Sequence, residues 1–169
     1  MIQSLSPKQL IDVRKGKGRQ LADMINAAGH FNVDLWRRGK IVESRSWHND
    51  IVDEGKNYLL NVAFGGAGAQ AQASPWYISI VDNASWTAFA AGDIMSAHAG
   101  WIEWQDYSAA TRVEWVDESS TAQSKSNSVT SADFTVAAGG EGDALKGIFV
   151  TSNNTKGGTT GFLWSTGAF

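Results

Sequence analysis

A mainly β fold, an antiparallel β-sandwich or jelly-roll-like barrel with a short helical arm at its N-terminus, is predicted by three features of the 169-residue sequence. The 18 glycines against 2 prolines suit a chain of many tight turns. An apolar content of 43% with 8 tryptophans excludes a disordered chain and can fill a core between short strands. Six or seven apolar or alternating segments follow one another, spaced by Gly and Asn turns, without the strand–helix alternation of a parallel sheet.

The elements can be argued in order. Residues 1–30 read as a basic arm, partly helical: Ser4 or Ser6 suits an N-cap, Pro7 the first helical position, and Leu10, Ile11, Val13, Leu21, Met24 and Ile25 supply apolar positions. Gly16 and Gly18 interrupt the pattern, and Gly29 ends it. So little apolar area cannot fold alone; the arm is expected as a strap over the β body or an anchor in a neighbour. Residues 31–169 read as the β-rich domain. Its period changes at Phe31, where Phe31, Val33 and Leu35 alternate with Asn32, Asp34 and Trp36, and Ile41, Glu43, Arg45 and Trp47 continue an extended pattern beyond the RRGK turn. That is a hairpin centred on Gly39.

A short helix follows, with Asp50 or Asp53 near its start and Tyr58, Leu59, Leu60, Val62 and Phe64 on its apolar face. The stretch GGAGAQAQAS, residues 65–74, reads as a loop. WYISIV, residues 76–81, is apolar throughout, which suits a strand inside a sheet, and Asp82 and Asn83 end it. Further extended segments are expected at 101–106, 111–118, 132–138, 145–152 and within 159–169. The chain ends at Phe169 directly after a strand, and the β domain is expected to lack its natural C-terminal strands.

Charge divides the chain. Residues 1–50 carry net +4 and residues 51–169 net −7, a dipole that favours head-to-tail or layered association. Arg14, Lys15, Lys17 and Arg19 concentrate the positive charge of the arm. Four charges broken by two glycines are weak grounds for direct nucleic-acid binding, which is not expected. With no cysteine, disulfides, thiolate nucleophiles and zinc–thiolate sites are excluded. No apolar run reaches the length of a signal sequence or a membrane span, so the chain reads as soluble and leaderless, with no membrane partner.

Catalytic patterns are absent from the sequence. His30, His48 and His98 lie in no metal-binding spacing, and His98 within SAHAG reads as a structural or interfacial residue. Glu103, Asp106, Glu114, Asp117 and Glu118 could supply an acid–base pair, but on strands Glu114 and Asp117 would face opposite sides; solvated positions or cross-strand ionic contacts are expected instead. No GxSxG or SxxK serine occurs, and NNTKGG, residues 153–158, reads as a tight turn rather than a phosphate loop. No cofactor, metal or catalytic residue is expected. The aromatic residues carry more information: most must anchor a core, while Trp36, Trp86 and Trp101 are candidates for an interface.

Three stretches carry a likeness to a known group: GKNYLL (55–60), WYISIVDNASWTAFAAGDIMSAHAGWIEWQDYSAATR (76–112) and GIFVTSNNTKGGTTGFLWSTGAF (147–169). Over these the chain resembles small virion structural proteins of tailed bacteriophages, a group that includes capsid decoration, minor head and tail-fibre-related proteins. The resemblance implies further strands past Phe169 and transfers no catalytic residue. Together with the charge asymmetry and the arm that cannot fold alone, it points to a capsid cement or decoration protein at the capsid surface of a virion assembled in the host cytoplasm. Such a protein would bind the major capsid protein or other virion proteins and would self-associate as a trimer or dimer; the basic residues Arg14, Lys15, Lys17 and Arg19, outside the likeness, are the candidates for a capsid-contacting arm. The alternative is a tail or head-fibre adaptor that contacts the host.

Overall fold

A computed structural model describes residues 27–65, 69–120 and 124–169. The basic stretch Arg14, Lys15, Lys17 and Arg19 and the expected N-terminal helix lie outside the described residues.

The hairpin forms where the alternation places it. Strand β1 (Gly29–Arg37) pairs antiparallel with β2 (Lys40–Ile51), and the turn between them holds Arg38 at φ 53° and Gly39 at φ 73°. Two successive positive φ values are the signature of the tight turn whose twist matches that of the strands, and glycine takes the second at no steric cost. Helix α1 (Asp53–Phe64) follows immediately, with Asp53 and Glu54 in its first turn, where carboxylates complement the helix dipole. Its buried residues are Gly55 and Tyr58, while Phe64, expected on the apolar face, is 64% exposed in the last turn. The helix lies against the sheet because Gly55 has no side chain: a Cβ there would come within 2.3 Å of the Trp164 carbonyl oxygen.

Four further strands complete the set: β3 (Trp76–Asp82), β4 (Val113–Trp115), β5 (Leu145–Thr151) and β6 (Leu163–Ala168). All six join one antiparallel sheet in the order β1-β2-β6-β5-β3-β4, curled into a half-barrel. The expectation of a mainly antiparallel β fold holds, and the helix of the described residues follows the hairpin instead of preceding the sheet. Strand β3 lies inside the sheet as its continuous apolar run predicts. The extended segments expected at 101–106, 111–118 and 132–138 shrink to the three residues of β4 and to single bridges, Val81 with Glu103 and Tyr107 with Val136.

Alternation sorts the core onto two faces. Ile78 opposite Val150 and Ile80 opposite Ile148 share one face, on which Phe31, Val33, Trp47, Trp76, Trp164 and Phe169 pack. Val81, Phe149 and Leu163 share the other, which the irregular segment 83–104 covers with Met95 and Trp101. Strand β2 meets β6 only at Asp50 and Ile51, so the greater part of the β1–β2 hairpin projects beyond the sheet.

Candidate interaction surface

The projecting hairpin ends in Leu35-Trp36-Arg37-Arg38-Gly39-Lys40-Ile41-Val42. Leu35, Trp36, Ile41 and Val42 are 45%, 61%, 47% and 54% exposed, a cluster of large apolar side chains at one end of the molecule. Arg37, Arg38 and Lys40 stand among them, so the tip is both apolar and basic. Backbone register explains why the cluster faces outward. The ladder slips between Leu35 and Trp36, placing Leu35 opposite Glu43 and Trp36 opposite Ile41, so Val42 is the extra residue of a bulge on β2. A bulge twists the strand end and turns its side chains away from the core.

Of the three candidate interface aromatics, Trp36 is the one exposed at the tip. Trp86 is half-buried, packed edge-on against Phe89 with ring centroids 4.8 Å apart and lying on the core. Trp101 is inside the chain at 1% exposure: its indole N–H donates to Asp93 Oδ2 at 2.9 Å, and His98 stacks on its ring at 3.8 Å. The ring of Trp101 is thus spent on the core and is withdrawn from the set of interface aromatics. His98 Nδ1 also lies 3.1 Å from the Trp101 carbonyl oxygen, a hydrogen bond in which the carbonyl accepts.

The carboxylates separate by environment. Glu103, expected in a solvated position or a cross-strand ionic contact, is instead buried, and its ionic partner Arg112 comes from an irregular segment rather than a facing strand: Arg112 Nη2 lies 2.8 Å from Oε2 and Nε 3.0 Å from Oε1. Ser79 Oγ donates to Glu103 Oε1 at 2.5 Å and the Gly157 N–H to Oε2 at 2.7 Å. Arg112 also donates to the carbonyls of Asn153 and Gly158. The Arg112 guanidinium donates only to acceptors within the protein, so the pair ties segments 103–112 and 153–158 to β3. The NNTKGG stretch is the tight turn its sequence predicts, with the Gly158 N–H on the Thr155 carbonyl. Lys156 Nζ sits 3.9 Å from the centroid of the Tyr107 ring.

Beside this pair the Tyr107 phenol is pushed up to about 12, chiefly because burial disfavours the phenolate; the hydrogen bond with Ser79 opposes the rise and the charge of Glu103 adds to it. Glu118 shifts the other way. Its carboxylate is held below the usual range first by the Val129 N–H and then by the Ser128 hydroxyl, contacts that fasten the polar stretch after β4. Asp117 pairs with Lys125, and Glu114 is exposed on β4. Among the described residues no group of three or more His, Cys, Asp or Glu side chains is placed to hold a metal ion, and no helix is long and apolar enough to cross a membrane.

Sequence reading found Trp36 and the turn but not the surface around them. The signal was present: RRGK between two apolar dipeptides, Leu-Trp and Ile-Val, joins positive charge to exposed apolar area. Comparison with protein-family models, curated proteins and solved structures finds no match to the chain.

Proposed function

We propose that the chain is a bacteriophage virion structural protein, a cement or decoration protein that binds the major capsid shell and bridges capsomers. The observation that carries the reading is the projecting hairpin, whose tip combines Trp36 with Arg37, Arg38 and Lys40 and is left uncovered by the other described residues. Trp36 would anchor the contact and the three cations would steer it, the usual division between affinity and on-rate at an interface. Each contact can be modest, because a symmetric shell multiplies it and attachment at two points raises the effective concentration of the second. The motif stretches behind the phage resemblance supply the scaffold: Trp101, Glu103 and Arg112 from 76–112, and Phe149 and Leu163 from 147–169, are all buried. A likeness in such residues speaks for fold and assembly rather than chemistry. The arm residues Arg14, Lys15, Lys17 and Arg19 would add a second attachment to the shell. The finer architecture, a sandwich or jelly-roll-like barrel, would follow if added strands closed the half-barrel.

The test uses shells stripped of the protein. Rebinding of the wild type is compared with that of a Trp36→Ser, Arg37→Glu, Arg38→Glu variant, and bound copies per shell are counted. The reading predicts copy numbers that match capsid symmetry and occupancy reduced by roughly tenfold or more in the variant, as for loss of an anchor residue. Unchanged occupancy would overturn the role of the hairpin, and a few copies per virion would place the protein on a tail or head fibre.

A further inference from the structure

Strand β1 forms one end of the sheet, and along its nine residues its outer edge pairs with no other strand among the described residues. Long edges of this kind are normally blunted by proline, by inward-pointing lysine or by a bulge. The sequence of β1, GHFNVDLWR, contains neither proline nor lysine, and the bulge of the hairpin lies on β2. The opposite edge, β4, is only three residues long. Leu35 and Trp36 on β1 are 45% and 61% exposed, so the open edge carries apolar area as well as backbone donors and acceptors.

We infer that β1 is a self-association edge: two copies of this chain join antiparallel through β1 about a twofold axis at Val33. The sequence of the strand selects that register. With Val33 opposite its own copy, Phe31 meets Leu35, Asn32 meets Asp34, His30 meets Trp36 and Gly29 meets Arg37. All nine residues pair, apolar residues meet on one face, and no like charges are opposed. Centring the axis on Asp34 would set two carboxylates face to face and shorten the overlap. An isologous contact closes on itself, so it ends at a dimer instead of growing into a filament. The edge contact adds backbone hydrogen bonds across the axis, the means by which exposed sheet edges accept a strand. It does not rest on the capsid reading, and it leaves the turn at Arg38 and Gly39 outside the paired region.

The isolated full-length chain provides the test. Because the chain has no cysteine, Asn32→Cys and Asp34→Cys introduce single thiols at two exposed positions without background. Under mild oxidation, a mixture of the two single variants is expected to form a mixed disulfide dimer well in excess of the homodimers formed by either alone. In sedimentation velocity the wild type is expected to be dimeric, and Leu35→Lys, which sets a charge against Phe31 of the other copy, to weaken association by roughly tenfold or more. Circular dichroism establishes that Leu35→Lys keeps its fold. A monomeric wild type, or a dimer that survives Leu35→Lys and yields no preferred 32–34 cross-link, would overturn the inference. The first result would fit an edge covered by other residues of the same chain, the second a dimer formed through another surface.

Discussion

Arg112 has no exposed side-chain surface, and its partner Glu103 has 4%. Losing one member of such a pair leaves the other charged and buried, so Arg112→Met is expected to lower stability by about 3–5 kcal/mol in chemical denaturation. The double variant Glu103→Leu, Arg112→Met should lose less than the single one, because no charge is then stranded; an equal or larger loss would mean that packing, not charge, dominates the site. Tyr107 offers a second residue-scale test. Its phenol stays neutral to about pH 12, whereas the unfolded chain ionises near its ordinary value of 10.0. The stability this contributes is fully present below pH 10 and is lost as pH rises through 12, since the unfolded state releases its proton first. Ultraviolet titration should find a phenol ionising near pH 12, and Tyr107→Phe should abolish that step. Loss of absorbance change near pH 10 rather than near pH 12 in Tyr107→Phe would contradict the burial argument.

At the scale of elements, local signals were legible and long-range pairings were not. The hairpin at Gly39, the helix after Asp53 and the strands β3, β5 and β6 all follow from period and turn chemistry in the sequence. The segment 83–112 defeated that approach because its burial has no period: Met95, Trp101 and Trp104 are buried from an irregular path, held by contacts such as Trp101 to Asp93 and Trp104 to Asp143. Glu103 and Arg112 are nine residues apart on that path, a spacing with no meaning on a strand or helix. The surface was half legible, since exposure of Trp36 depends on the projection of the hairpin, which only the short β2–β6 pairing determines. Gly55 carries a clear element-scale prediction. Gly55→Ala would push α1 off the Trp164 carbonyl and is expected to cost about 1–3 kcal/mol, as overpacking does. Thermal denaturation of that variant measures the loss; an unchanged midpoint would mean that the helix can shift freely over β6.

For the whole molecule, the division of charge noted in the sequence acquires a location. The basic residues Arg37, Arg38 and Lys40 lie at the hairpin tip, while residues 51–169 carry net −7. A cationic tip on a body of opposite net charge favours oriented, salt-sensitive encounter with an acidic surface. The β1 edge and the hairpin tip share Leu35, Trp36 and Arg37, and antiparallel pairing about Val33 would set the two turns at Arg38 and Gly39 at opposite ends of the paired strands. The central claim, that the hairpin attaches a structural subunit to a virion shell, is tested most directly by a density map of the intact virion. The account predicts the β body on the outer face of the capsid with Trp36 and Arg37 seated against the shell at capsomer boundaries. Density confined to the tail, or a capsid-bound body with its hairpin pointing into solvent, would contradict it.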